Sequence, residues 1–261
     1  MSTDFPATAN PPDPFQALYQ QRAAGRILSS LTAYDYPTAR LLDEAGIDLI
    51  LVGDSLGMVF AGLEDTTGVT MDQMVYHTQV VARGVTTALL GADLPYHSYK
   101  TPDEALKNAL RLMEAGANAV KLEGGTSQID KVIHLTHNGI PMIGHIGMLP
   151  QRVREEGGYK KKGRTQEDAD RLLRSAQDLE NAGVGAIVLE SVVPEVAGEI
   201  TAALTIPTIG IGAGPHCDGQ IRVIHDLLNA YPWFRPPFAT AYADFAGDIK
   251  KAAQSYIEDI Q

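Results

Sequence analysis

The sequence predicts an α/β fold, a (β/α)8 TIM barrel, on three observations. Apolar runs of strand length alternate with helical patterns along most of the chain, as expected of β–α units that return repeatedly to one parallel sheet. The runs are continuously apolar, not alternating, so both faces of that sheet are covered. The length, 261 residues, matches one such barrel, which takes about 250 residues. A doubly wound open sheet is the competing topology.

Residues 1–14 mix Pro, Ala, Thr and Asn without periodicity and read as a flexible N-terminal arm, which leaves 15–261 for a single barrel domain. Strands are expected at 27–33, 47–53, 86–92, 119–122, 141–147, 186–189 and 207–211, with an eighth, weaker candidate near 238–242. Helical patterns fall between strands at 38–45, 103–115, 166–182, 195–204 and 217–229. Pro102, followed by Asp103 and Glu104, marks a helix start with acids at the positive end of the dipole. Gly46, Gly116 and Gly183 each stand where a helix must be capped before the next strand. The longest irregular stretch, 148–165, follows the fifth strand and so belongs to the face where barrel enzymes keep their chemistry; it reads as a lid.

Composition narrows the partners. The formal charge of −11 disfavours attraction to nucleic acid or to anionic membrane surfaces. No apolar stretch approaches the roughly 18 residues of a membrane span. The single cysteine, Cys217, excludes an internal disulfide framework and fits a reducing compartment. The start, Met1-Ser2-Thr3-Asp4-Phe5, lacks the features of a secretion signal, so a cytoplasmic location is expected. Cys217 falls near an expected helix start, which would lower its pKa, but no base accompanies it and it reads as inert.

Chemistry gathers at the strand ends. Asp54, Asp93 and Glu123 each close an apolar run, spaced 39 and 30 residues apart, enough for a strand–helix unit between neighbours. Three unpaired acids in one partly buried cleft call for a cation, and oxygen-only ligands select a hard one, Mg²⁺ before zinc. A lone acid at such a place would most simply be a helix N-cap. Ser55 could donate to a bound carboxylate. Lys121 lies two residues before Glu123, so in a strand both side chains point the same way, here into the barrel. Glu190 is a fourth carboxylate on the rim, one too many for the metal, and is a candidate general acid or base. His145 is a further candidate, with Gly144 and Gly147 expected to leave room for a ligand. Gly210-Ile211-Gly212-Ala213-Gly214 could present backbone amides to an anion.

An ordered set of segments resembles the ketopantoate hydroxymethyltransferase family. It comprises Thr32-Ala33-Tyr34-Asp35, Val52-Gly53-Asp54-Ser55-Leu56-Gly57, Tyr76-His77, Ala92-Asp93-Leu94-Pro95, Lys121-Leu122-Glu123-Gly124-Gly125 and Gly144-His145-Ile146-Gly147. Gly157-Gly158-Tyr159-Lys160, Val188-Leu189-Glu190, Ile209-Gly210-Ile211-Gly212-Ala213-Gly214 and Asp218-Gly219-Gln220 follow. Departures are mild: Met148-Leu149-Pro150 replaces the commoner Leu-Thr-Pro, and the lid carries Lys160-Lys161-Lys162 in a row.

The resemblance implies a barrel of the phosphoenolpyruvate/pyruvate superfamily type and a homo-oligomer, usually a decamer. It implies Mg²⁺ held through Asp54, Asp93 and Glu123, a 2-oxo acid bound at Asp54, Ser55, Asp93 and Lys121, and Glu190 as the catalytic proton acceptor. The implied reaction moves a hydroxymethyl group from 5,10-methylenetetrahydrofolate to 3-methyl-2-oxobutanoate through a Mg²⁺-stabilised enolate, giving 2-dehydropantoate. The lysine run could dock the glutamate tail of the folate. A lyase or mutase of the same superfamily is the alternative enzyme; a non-enzymatic binding barrel would have no use for Lys121, Glu123 and Glu190 together.

Overall fold

The computed structural model describes residues 13–261; residues 1–12, most of the expected arm, lie outside the described residues. Helix α1 (Gln16–Ala23) comes first, and the Asp13 carboxylate accepts a hydrogen bond from the Phe15 amide at 3.0 Å just before it. Strands β1 (Leu28–Thr32), β2 (Leu49–Val52), β3 (Leu89–Asp93), β4 (Ala119–Glu123), β5 (Met142–Gly147), β6 (Ala186–Glu190), β7 (Thr208–Ile211) and β8 (Gly219–Arg222) follow one another around a closed barrel. Every pairing is parallel, from β1–β2 round to β8–β1. Between strands run α2 (Tyr36–Glu44), the short α3 (Leu56–Val59), α4 (Met71–Ala82), α5 (Pro102–Glu114), α6 (Ile129–His137), α7 (Gln166–Asn181) and α8 (Pro194–Ala203). Helices α9 (Ile224–Leu228) and α10 (Phe245–Asp259) come after the last strand.

Local chemistry sets the helix boundaries. The side chains of Asp35, Thr101 and Thr165 accept from amides of Thr38, Glu104 and Asp168, opening α2, α5 and α7. Thr70 and Gln73 form a reciprocal capping box at α4. Gly46, Gly116 and Gly183 take φ of 82°, 108° and 90° just past the ends of α2, α5 and α7, as expected of helix-ending residues.

Most strands are apolar on both faces because they serve two cores. Ile50, Val52, Val120, Leu122, Ile187 and Leu189 face outward into the layer between sheet and helices. Leu49, Leu51, Ala119, Ile143, Ala186 and Val188 alternate with them and fill the barrel interior. Phe15 and Leu18, 2% and 1% exposed, join that inner cluster and close its N-terminal end. A Cβ on Gly185 would come within 2.2 Å of the Phe15 ring, so glycine makes room for this plug.

The eighth strand departs from the sequence reading. β8 lies inside the span expected to be helical, and residues 238–242 form no strand. Four residues, Gly-Gln-Ile-Arg, are too short and too polar to read as a buried run; pairing with both β1 and β7 holds them in the sheet. Phe238 instead lies across Gly212, where a Cβ would meet its ring at 2.8 Å. Helix α10 has no buried residue, and Phe245, Ile249, Tyr256, Ile257 and Ile260 leave an apolar face exposed. No helix among the described residues is long and apolar enough to cross a membrane.

Candidate active site

Alternation in parallel strands delivers every second side chain to the barrel interior, and the C-terminal strand ends carry the polar ones. Asp93 ends β3, Lys121 and Glu123 close β4, His145 lies in β5, Glu190 ends β6, and Asp54 and Ser55 follow β2. The register sets Asp93 level with Lys121, and Glu123 level with His145. All of these residues line one cavity of about 480 Å³. Asp54, Asp93, Lys121, Glu123 and His145 are each at most 5% exposed.

The contacts form a chain of charges. Lys121 Nζ lies 3.0 Å from Asp93 Oδ1, and Asp93 Oδ2 accepts from the Asp54 amide at 3.1 Å. His145 Nδ1 is 3.4 Å from Lys121 Nζ and 3.5 Å from Glu123 Oε1. Its Nε2 is 3.2 Å from Glu190 Oε2, an ion-pair contact without hydrogen-bond alignment. Ser55 Oγ shares a 2.8 Å hydrogen bond with the Tyr34 hydroxyl.

Burial disfavours every charge here, and the neighbours decide which survive. Burial, reinforced by Asp93 and Glu123, pushes Asp54 well above the usual carboxylate range. Asp93 is also raised by burial, although Lys121 opposes it. For Glu123 burial is outweighed by His145, Lys121 and the Gln151 amide, which hold it below its ordinary value. Burial and Lys121 work against a charged His145, but the adjacent Glu123 and Glu190 carboxylates prevail and its pKa rises to about 9. Burial is likewise overcome at Lys121, which Asp93, Glu123 and Asp54 keep protonated.

Several side groups sit differently from expectation. The glycines flanking His145 serve packing: a Cβ on Gly144 would meet Leu179 at 3.0 Å, and one on Gly147 would strike the Glu190 carbonyl oxygen at 2.2 Å. Of the glycine loop after β7, Gly212 lines the cavity beneath Phe238, while Gly210 packs on Cys217. Cys217 precedes a strand, not a helix, and burial pushes its thiol up. From the 148–165 stretch, Met148, Pro150, Tyr159 and Lys161 line the cavity. Lys162 pairs with Glu156, and Lys160 Nζ donates to the Glu156 carbonyl at 2.7 Å.

Sequence reasoning missed Gln151, which is 1% exposed and bonds to both Asp54 and Glu123. Its only signal was a place at the start of the lid. Also missed was the rim formed by Arg222, Asp226, Tyr231 and Phe234, which comes from the segment misread around β8. Burial pushes Asp226 up to about 6 against the pull of Arg235 and Arg222.

Among the described residues no three His, Cys, Asp or Glu side chains make a ready-made metal cage. The donor set still fits a hard divalent cation that keeps most of its waters. Asp93 Oδ1 is buried without a directed hydrogen bond, and burial together with the charges of Asp93 and Glu123 disfavours a charged Asp54, a penalty that a bound cation would offset. Four carboxylates face one ammonium and one imidazolium, an excess that one divalent ion would cancel.

Residues 14–261 match the family model described as ketopantoate hydroxymethyltransferase. The 3-methyl-2-oxobutanoate hydroxymethyltransferase of Pyrobaculum neutrophilum is 54% identical over 233 residues, covering 88% of each chain. That of Geobacter metallireducens is 47% identical over 246 residues, 94% of this chain and 92% of its own. Among solved structures, phosphoenolpyruvate phosphomutase from Streptomyces platensis subsp. rosaceus superposes with a TM-score of 0.67 at 16% identity, over 95% of this chain and 88% of its own. A 2,3-dimethylmalate lyase, a member of the PEP mutase/isocitrate lyase superfamily, gives a TM-score of 0.58 at 16% identity over 95% and 87%. At that identity the likeness is one of fold.

Proposed function

The chain belongs to the ketopantoate hydroxymethyltransferase family, and from that membership we propose a role for each group in the cavity. The enzyme transfers a hydroxymethyl group to 3-methyl-2-oxobutanoate, giving 2-dehydropantoate for pantothenate synthesis. The one-carbon donor in this reading is 5,10-methylenetetrahydrofolate.

Asp54, Asp93 and Glu123 are the residues that would hold Mg²⁺. When bound, the ion supplies Lewis-acid stabilisation of charge on the keto oxygen, an effect worth several kcal/mol. Lys121 Nζ, already 3.0 Å from Asp93, adds a fixed positive charge beside the substrate carboxylate and keto group. Ser55 donates its hydroxyl proton to the substrate carboxylate while Tyr34 fixes the rotor. Glu190, at the cavity wall and beside His145 Nε2, takes and returns protons at the reacting carbon end of the substrate. His145 lies between Glu123 and Glu190, 3.5 Å and 3.2 Å from their carboxylates, and holds both in place. Tyr159, Phe234 and Phe238 line the cavity at its exposed rim, where a bulky donor would pack.

The single observation that supports this assignment best is that four strand ends set an ammonium among four carboxylates in one cavity, within a chain of this family. Lys161 faces the same cavity and suits the anionic tail of a folate. Helix α10, with its exposed apolar face and no buried residue, supports a homo-oligomer, and the decamer usual in the family is the count we infer. A cytoplasmic setting agrees with the lone Cys217. The direct test combines purified protein, Mg²⁺, 3-methyl-2-oxobutanoate and 5,10-methylenetetrahydrofolate and follows 2-dehydropantoate by mass spectrometry. Product that requires both substrates and is lost with a chelator supports the reading; no product with the ion present overturns it.

A further inference from the structure

Gln151 occupies an unusual position for a loop residue. It lies in the single turn 150–152 that opens the β5–α7 connection, yet it is 1% exposed. Its backbone N–H donates to Glu123 Oε2 at 3.1 Å. Its side-chain Nε2 donates to Asp54 Oδ2 at 2.8 Å and to the Leu94 carbonyl at 2.9 Å. On the other side of the amide, Tyr99 donates its hydroxyl proton to Oε1. One residue therefore grips an acid beyond β2 and an acid at the end of β4, which are 97 and 28 residues away in sequence.

The orientation of that amide is fixed by its surroundings. Nε2 faces two acceptors and spends both of its hydrogens on them, while Oε1 faces a donor. A flipped amide would set oxygen against two oxygens and NH₂ against a donor hydroxyl. The side chain thus acts as a locked, uncharged donor on Asp54, the acid with the strongest need of a partner. A carboxylate so held cannot rotate freely, which lowers the ordering cost of presenting its other oxygen to a cation.

We propose that Gln151 is a positioning residue for the divalent-cation site, with Tyr99 setting the direction of its amide. The inference rests on the metal reading given above and goes beyond it by assigning the residue that aligns two of its acids. Other hydrogen-bond donors near the acids do not do this: Lys121 approaches Asp93, and the Asp54 amide also serves Asp93.

The test is calorimetric titration of Mg²⁺ into unaltered protein, Gln151→Ala and Tyr99→Phe, with melting temperatures measured without metal. Gln151→Ala keeps the backbone bond to Glu123, so the loop stays tethered while the side-chain contacts go. We expect its Mg²⁺ Kd to rise about 10- to 100-fold, the usual effect of removing a partner that orients a metal ligand. Tyr99→Phe, which removes one hydroxyl, should raise it less but in the same direction. A purely structural role would lower the melting temperature and leave Kd alone. Kd values within twofold of unaltered protein in either folded variant overturn the assignment, and if Gln151→Ala does not fold, Tyr99→Phe decides. Absence of Mg²⁺ binding by unaltered protein overturns the metal reading, and this inference with it.

Discussion

His145 Nε2 and Glu190 Oε2 stand 3.2 Å apart, while the opposite ring nitrogen faces Glu123 at 3.5 Å. One imidazolium thus separates the acid proposed to move protons from an acid proposed to hold metal. Glu190→Gln should leave binding of the 2-oxo acid intact and lower kcat by at least about 100-fold, the low end for a lost acid or base. His145→Gln should slow the reaction through the same group, so the double variant should be little worse than Glu190→Gln alone. Steady-state kinetics on the three variants check this; a near-normal Glu190→Gln removes that residue from the proton path.

Asp54→Ala should abolish exchange of the C3 hydrogen of 3-methyl-2-oxobutanoate in D₂O in the absence of folate. NMR follows the exchange directly, without the second substrate. Undiminished exchange would mean that Asp54 is not needed to stabilise the charge that forms on deprotonation.

Asp43 supports the fold far from this chemistry. Burial works against its charge, but the amides of Thr86, Thr87 and Ala88 and the two threonine hydroxyls all donate to it and hold its pKa well below the ordinary value. A depressed folded pKa gives stability that is present above the unfolded value near 3.9 and is lost as pH falls towards the folded one. Asp43→Asn should cost about 1.5–3 kcal/mol at neutral pH, the scale of a hydrogen bond to a charged group. Urea unfolding at pH 7 and pH 3 should show that the gap between the two proteins narrows in acid.

Phe15→Ala should cost about 3–5 kcal/mol, because the ring is buried and Gly185 offers nothing to fill the cavity left behind. The melting temperature should fall accordingly, and Gly185→Val should fail for the opposite reason, by overpacking.

Removal of residues 245–261 should leave a folded barrel, since α10 contributes no buried side chain. Size-exclusion chromatography with light scattering should show a smaller assembly. An unchanged mass would mean that the exposed stripe of Phe245, Ile249 and Tyr256 is not an interface.

How much of this was legible in the sequence follows from how each residue earns its place. Seven strands announce themselves because they are apolar on both faces, and Asp54, Asp93, Lys121, Glu123 and Glu190 stand out because nothing apolar explains them at strand ends. β8 could not be read, because Gly219–Arg222 is held by its two neighbours and not by its own pattern. The apolar content of 238–242 suggested a strand, but Phe238 is a cover for Gly212. Gln151 is a polar residue in a loop whose significance lies wholly in partners distant along the chain. The glycines beside His145 are expected from sequence to leave room for a ligand; what they make room for is helix α7 and the β6 backbone.

The plug formed by Phe15 and Leu18 has a consequence for kinetics. Among the described residues Phe15 and Leu18 fill the end of the barrel interior opposite the cavity, whose buried acids and Lys121 lie deeper than the exposed Tyr159 and Phe238. If the proposed sites are occupied as assigned, depth would dictate sequence: the small keto acid would arrive before the bulky one-carbon donor, and the spent donor would depart before the product. Queueing of this kind gives an ordered mechanism without any conformational switch, and it leaves the departure of the last occupant free to limit turnover.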